Sequence, residues 1–208
     1  MIKIENAQIY GMARAIYSAR NAMNSWHLSD SDLDADIVGE KDLDLAMRLV
    51  KAGSDHAKFL RMITVIVDIT APLYWLKETD TYKVGTVCNS TSTMHKIHAK
   101  EFTLDDFSHE HLYTDTLSPY CPMEMLKEQI KGLNFWRQRY LETGRKEDWW
   151  QLIQQLPSTY NQLRTYQLNY EVLRRMYHAR KNHRLDEWRE FCKWMEEELP
   201  YSELITAE

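Results

Sequence analysis

Apolar positions recur at helical spacing over most of this chain, interrupted by one segment of different character. Ile63-Thr-Val-Ile-Val-Asp-Ile69 is rich in β-branched residues, which predicts a strand, and Ala71-Pro72 ends it. Residues 3–10 predict a second, shorter strand, and residues 11–25 a helix. Leu43, Ala46, Met47 and Val50 predict another helix, with Asp42 as its N-cap and Gly53 as its stop. Residues 73–82 read as a short helix and 83–98 as a loop with Gly85 and a Ser/Thr run. Residues 123–145 form an amphipathic helix whose apolar positions include Leu126, Ile130, Leu133 and Trp136, and 146–155 a shorter one. Two long C-terminal helices follow, over 158–181 and 185–197, the second carrying Trp188, Phe191 and Trp194 and ended by Pro200.

The helix expected over 158–181 carries the most informative pattern. Asn169, Leu173, Met176 and Arg180 are separated by steps that nearly close whole turns, so they share a stripe. Leu173 and Met176 make that stripe inward-facing. An amide and a guanidinium then project from an apolar face about 16 Å apart. An inward arginine needs an anionic partner. That partner is either an internal Glu in a salt bridge or a bound ligand.

Composition narrows the classes. With 208 residues the chain can fold as one domain with a real core. Only 6 Gly and 5 Pro argue for helices with short connections and against an all-β sandwich. A net charge of −5 gives no basic field for nucleic acid or anionic lipid. Arg174, Arg175, Arg180, Lys181 and Arg184 make a local basic patch that reads as a solvated helix face. The apolar run at 63–69 is too short to span a bilayer. The 12 Tyr and 7 Trp fit broad aromatic packing or a subunit interface.

Metal and thiol chemistry are weakly indicated. Ser29–Asp36 is an acidic surface loop without the central Gly and bidentate Glu of a calcium loop. Asp105, Asp106, His109, Glu110 and His111 resemble a ligand set in composition, but such loops are usually solvated surface. Cys88, Cys121 and Cys192 form no closely spaced pair, so a reducing cytoplasm is the expected setting. Cys88 reads as a buried small apolar residue, a site role being the alternative.

Several spacings together resemble one family. Leu156-Pro157, Asn169 and Arg180 stand in the order and spacing of the flavin-dependent thymidylate synthases, with His183, Glu187 and Arg189 after them. His56 stands sixteen residues before Pro72, and Ala71-Pro72 with Tyr74 matches the family's strand end. The family's Arg-His-Arg triplet falls on Thr81, Tyr82 and Lys83. Its later Ser, Glu, Ser and Arg fall on Thr86, Asn89, Thr91 and Thr93, and its preceding Gln on Glu78. Ile153 occupies the place of the Arg before Leu-Pro.

The resemblance implies an α+β fold: a small, mostly antiparallel twisted sheet packed against helices, as one domain over 1–208. It implies FAD as cofactor, with His56, Lys83 and Asn169 on the flavin side. It places Glu78, Thr86, Asn89, Thr91 and Arg180 toward a pyrimidine deoxynucleotide such as dUMP. NADPH and methylenetetrahydrofolate follow if the family reaction is retained. A cytoplasmic homotetramer with shared sites is implied, with no membrane or nucleic acid. Lys83 offers a point charge where the family has a planar fork, and Thr81 and Thr93 offer none. The losses leave two readings: a divergent methyltransferase-like enzyme, or a non-catalytic nucleotide-binding or interaction protein on the same fold.

Overall fold

Four strands make one sheet in the computed structural model, which describes residues 2–115 and 119–208. They are β1 (Lys3–Tyr10), β2 (Thr64–Pro72), β3 (Val87–Ser90) and β4 (Asn161–Asn169), in the order β1-β2-β4-β3. The helices are α1 (Met12–Ala19), α2 (Glu40–Lys51), α3 (Leu73–Thr79), α4 (Pro122–Thr143), α5 (Lys146–Gln155), α6 (Tyr170–Arg180), α7 (Asp186–Glu197) and α8 (Glu203–Thr206). The sheet is antiparallel. Tyr170 N–H donates to Ile63 O and Leu73 N–H to Tyr160 O, so β2 and β4 run in opposite directions. The α+β expectation holds.

The chain forms two compact units. The first comprises Thr70–Glu78 and Ser90–Arg164; the second comprises Ile2–Ile69, Thr79–Asn89 and Thr165–Glu208. In the first, α4 packs on α5. Leu126, Ile130 and Leu133 meet Leu152 there, with Ile97, Phe102 and Phe107 completing the core. Asp106 closes a capping box with Thr103 and accepts from Lys100, so it serves the loop's own structure. Residues 116–118 of the Asp/His-rich segment lie outside the described residues.

In the second unit, alternate residues of β2 (Val65, Val67, Ile69) are buried, as its β-branched pattern predicts. Trp188, Phe191 and Met195 of α7 are buried beside Leu173 and Met176 of α6. The acidic loop is tied to helix starts. Asp36 accepts the backbone N–H groups of Gly11, Met12 and Ala13 at 2.7–3.1 Å, covering the positive end of α1. Asp30 does the same for Lys41 and Asp42 in α2, and these bonds hold its carboxyl below the usual range.

Five expectations are corrected. The helix over 158–181 is instead β4 followed by the shorter α6. Asn169 is therefore not on an apolar helix face; it is the N-cap of α6, its Oδ1 accepting from Val172 N–H at 2.9 Å. Asp42 is not a cap: Gly39 is, and Asp42 lies fully buried in the first turn of α2. The loop over 83–98 contains the edge strand β3, and Cys88 on it is exposed.

Candidate ligand-binding site

One side of α6 and the chain before β2 enclose a cavity of about 550 Å³ in the second unit. Glu171, Arg174, Arg175 and His178 recur at helical spacing along one wall. Gly53, Ser54, Ala57 and Leu60 form the facing wall, and Tyr82 contributes its ring. Two guanidinium groups and an imidazole against one carboxylate make the lining basic. Arg174 donates through Nη1 to the carbonyls of Ile205 and Ala207, which fixes its stem. Burial holds the Arg174 pKa below its ordinary value. His178 is likewise depressed, first by burial and then by the cations of Arg174 and Lys181, which favours its neutral form. Glu171 is engaged by Arg61, whose Nε donates to it at 3.2 Å.

Arg180, on the last turn of α6, is half-buried rather than fully inward. Its Nε donates to Tyr82 Oη at 3.1 Å. Its guanidinium lies 5.0 Å from the centre of the Trp188 ring and 5.8 Å from that of Tyr82. Tyr82 and Trp188 meet edge-on at 6.0 Å. Tyr82, in the place of the family's triplet His, thus supports Arg180 and lines the cavity.

The other sequence-derived residues are dispersed. Asn169 approaches Gly85 so closely that a Cβ there would fall 2.6 Å from its Nδ2, and Gly85 also has φ +77°. Thr86 is half-buried, with an Oγ1 that has no hydrogen-bond partner. Lys83 and Asn89 are exposed. His56 is exposed and lines a different cavity of the same unit. Glu78 and Thr91 belong to the first unit, where Thr91 donates to Leu163 O and lines a cavity with Thr70, Lys96, Lys100 and Tyr160.

Sequence reasoning missed Ser54, Tyr82, Arg174, Arg175 and His178 as pocket residues. The signal was present as the basic patch on α6, but a solvated face has the same spacing. Among the described residues no group of three or more His, Cys, Asp or Glu side chains could hold a metal. No described helix is long and apolar enough to cross a membrane.

The antiparallel β1-β2-β4-β3 sheet with its helices defines the fold of the flavin-dependent thymidylate synthases. Thymidylate synthase X from Helicobacter pylori, crystallised with FAD and dUMP, matches with a TM-score of 0.71 at 16% identity. The match covers 98% of this chain and 96% of that one. A second structure of the flavin-dependent thymidylate synthase from Helicobacter pylori, complexed with FAD and dUMP, gives 0.68 at 16% identity over 98% and 95%. No family model and no curated protein matches the chain in sequence.

Proposed function

We propose that the protein binds FAD and a pyrimidine deoxynucleotide such as dUMP, and carries out reductive methylation or a related modification of the base. The observation that supports this is the basic cavity on α6, in a fold shared with proteins solved with FAD and dUMP. Its donor set fits an anionic dinucleotide. Arg174 and Arg175 complement phosphate charge, neutral His178 and Ser54 offer hydrogen-bonding groups, and the Tyr82 ring offers an apolar face.

The flavin, when bound, supplies the redox chemistry. The chain's own work is binding and orientation. Arg175 and Arg174 hold the phosphates, and Arg180, braced by Tyr82 and Trp188, faces the nucleotide anion or ring. Asn169 and His56 stand on the flavin side with Lys83, while Glu78, Thr86, Asn89 and Thr91 read the nucleotide in sites shared within a homotetramer. The replacement of the Arg-His-Arg triplet by Thr81, Tyr82 and Lys83 favours a second reading, nucleotide binding without methyl transfer.

The experiment is the visible absorption spectrum after loading with FAD and desalting. A retained oxidised-flavin band, lost in Arg175→Glu, is the expected result. Failure to load would sink the flavin assignment. Flavin loading without turnover of dUMP, reductant and folate would leave the second reading.

A further inference from the structure

Residues 205–208 lie along one wall of the α6 cavity. Leu204 and Ile205 of α8 are fully buried, and α8 packs on α6. Arg174, His178 and Lys181 follow one another at steps of four and three residues, so they form one stripe. The segment after Leu204 covers that stripe. Arg174 Nη1 donates to the carbonyl of Ile205 at 3.1 Å and to that of Ala207. Lys181 Nζ lies 3.4 Å from Glu208 Oε1. The same two carbonyls act on His178, opposing the depression of its pKa by burial and by Arg174 and Lys181.

The acceptors on Arg174 are neutral. A carboxylate would satisfy a half-buried guanidinium and cancel its charge, whereas two peptide carbonyls satisfy it and leave the charge in place. Nε and Nη2 have no acceptor among the described residues. They form the edge of the planar fork that can take two oxygens of one phosphate. Glu171, the carboxylate of the lining, acts on Arg174 through space but is hydrogen-bonded by Arg61. Arg175 adds a second charge to the same wall. On the reading of this cavity as a phosphate site, we propose that Ala207 is a positioning residue. Its carbonyl, with that of Ile205, holds the Arg174 fork for the ligand, so docking of 205–208 and binding of a phosphate anion favour each other. Linkage makes the effect reciprocal, with one factor for both.

Hydrogen exchange of the Ala207 amide, beside calorimetric titration with inorganic pyrophosphate, tests this. That amide donates to Glu203 O at 3.0 Å and exchanges when the segment lifts. Saturating pyrophosphate should slow its exchange by about fivefold, the low end of coupling between two sites. Ala207→Pro removes that bond and disfavours the helical Thr206 before it, which lifts the carbonyl from Arg174 without adding a charge. It should weaken pyrophosphate by about the same fivefold at unchanged circular dichroism. Arg174→Lys keeps a charge but loses the fork, and pyrophosphate should no longer slow the exchange. Exchange that is unmoved or faster at saturation, slowing that persists in Arg174→Lys, unchanged affinity in Ala207→Pro, or no binding of pyrophosphate would each overturn the proposal. Pyrophosphate carries no flavin, so a protein that shows the coupled exchange but fails to load FAD loses the flavin assignment alone. A protein that loads FAD with its exchange unmoved loses only the role of Ala207.

Discussion

Asp42 accepts from the Nε of Arg20 at 2.5 Å, and both side chains are withdrawn from water. The second carboxylate oxygen accepts from Ser29 and Ser31 hydroxyls at 2.5 and 2.6 Å. This pair joins the end of α1 to the start of α2, and its geometry satisfies the carboxylate fully. Removing one partner leaves a buried charge with no compensation. Asp42→Ala should cost about 3–5 kcal/mol in urea unfolding. Ser31→Ala removes the donor to Asp42 and the acceptor of Gly39 N–H, and should cost about 1–2 kcal/mol. A loss under 1 kcal/mol for Asp42→Ala would mean that Arg20 finds water in the variant.

A carboxylate on the sheet gives a pH-dependent test. Asp68 on β2 accepts from Thr165 Oγ1 at 2.5 Å and from Asn6 Nδ2 at 2.9 Å. These bonds, Thr165's first, hold its carboxyl below 3.8. A folded pKa below the unfolded one stabilises above the unfolded value, and that contribution is lost as pH falls through the folded value. Thr165→Val should move the Asp68 titration up toward 3.8 and bring acid unfolding to higher pH. Carboxyl NMR titration of both proteins reads the first effect directly. A pKa that stays put would remove Thr165 as the main cause.

These contacts explain which elements were legible in the sequence. β2 announced itself because its inward residues are β-branched. β4 did not: its buried positions include Gln162 and Tyr166, while Leu163 is exposed, so the apolar alternation is scrambled. Tyr166 shares a hydrogen bond with Thr79 at 2.9 Å, and Gln162 donates to Thr91 O at 2.6 Å. Polar side chains can face inward there because tertiary partners satisfy them. That misreading carried Asn169 onto a helix face, although Asn before a helix is also a capping signal. β3 is four exposed residues and offers no pattern at all. The α6 cavity was hidden for another reason. Its facing wall comes from 50–60, more than a hundred residues away along the chain, and no local spacing encodes that meeting. Arg180 was found through the helical stripe and again through the family resemblance, but its support by Tyr82 was not.

The three thiols should separate cleanly in reactivity. Cys88 is exposed on β3, whereas Cys121 and Cys192 are buried. Burial, with Glu196 nearby, pushes the Cys192 thiol up to about 12, which suppresses the thiolate that reacts. A disulfide-exchange reagent at neutral pH should therefore modify one thiol quickly in the native protein and all three in urea. Mass mapping should place the fast site at Cys88. Fast labelling of Cys192 would show that α7 opens readily from α6.

Arg180 decides between the ligand and the structural readings of the α6 stripe. Its guanidinium rests on the fully buried Trp188 and on Tyr82, so it contributes packing as well as charge. Tyr82→Phe keeps the ring and removes only the hydroxyl that accepts from Arg180 Nε. It should cost about 1 kcal/mol of stability or less. If Arg180 holds a nucleotide anion, Arg180→Ala should weaken dUMP binding by roughly tenfold or more, the scale of one charge-assisted contact. Tyr82→Phe should produce a smaller loss of the same kind, because the fork is then less well oriented. Calorimetric titration with dUMP beside thermal melting separates the outcomes. Unchanged affinity with a large drop in melting temperature would make Arg180 a structural residue held by its aromatic neighbours. The nucleotide assignment of α6 would then rest on Arg174 and Arg175 alone.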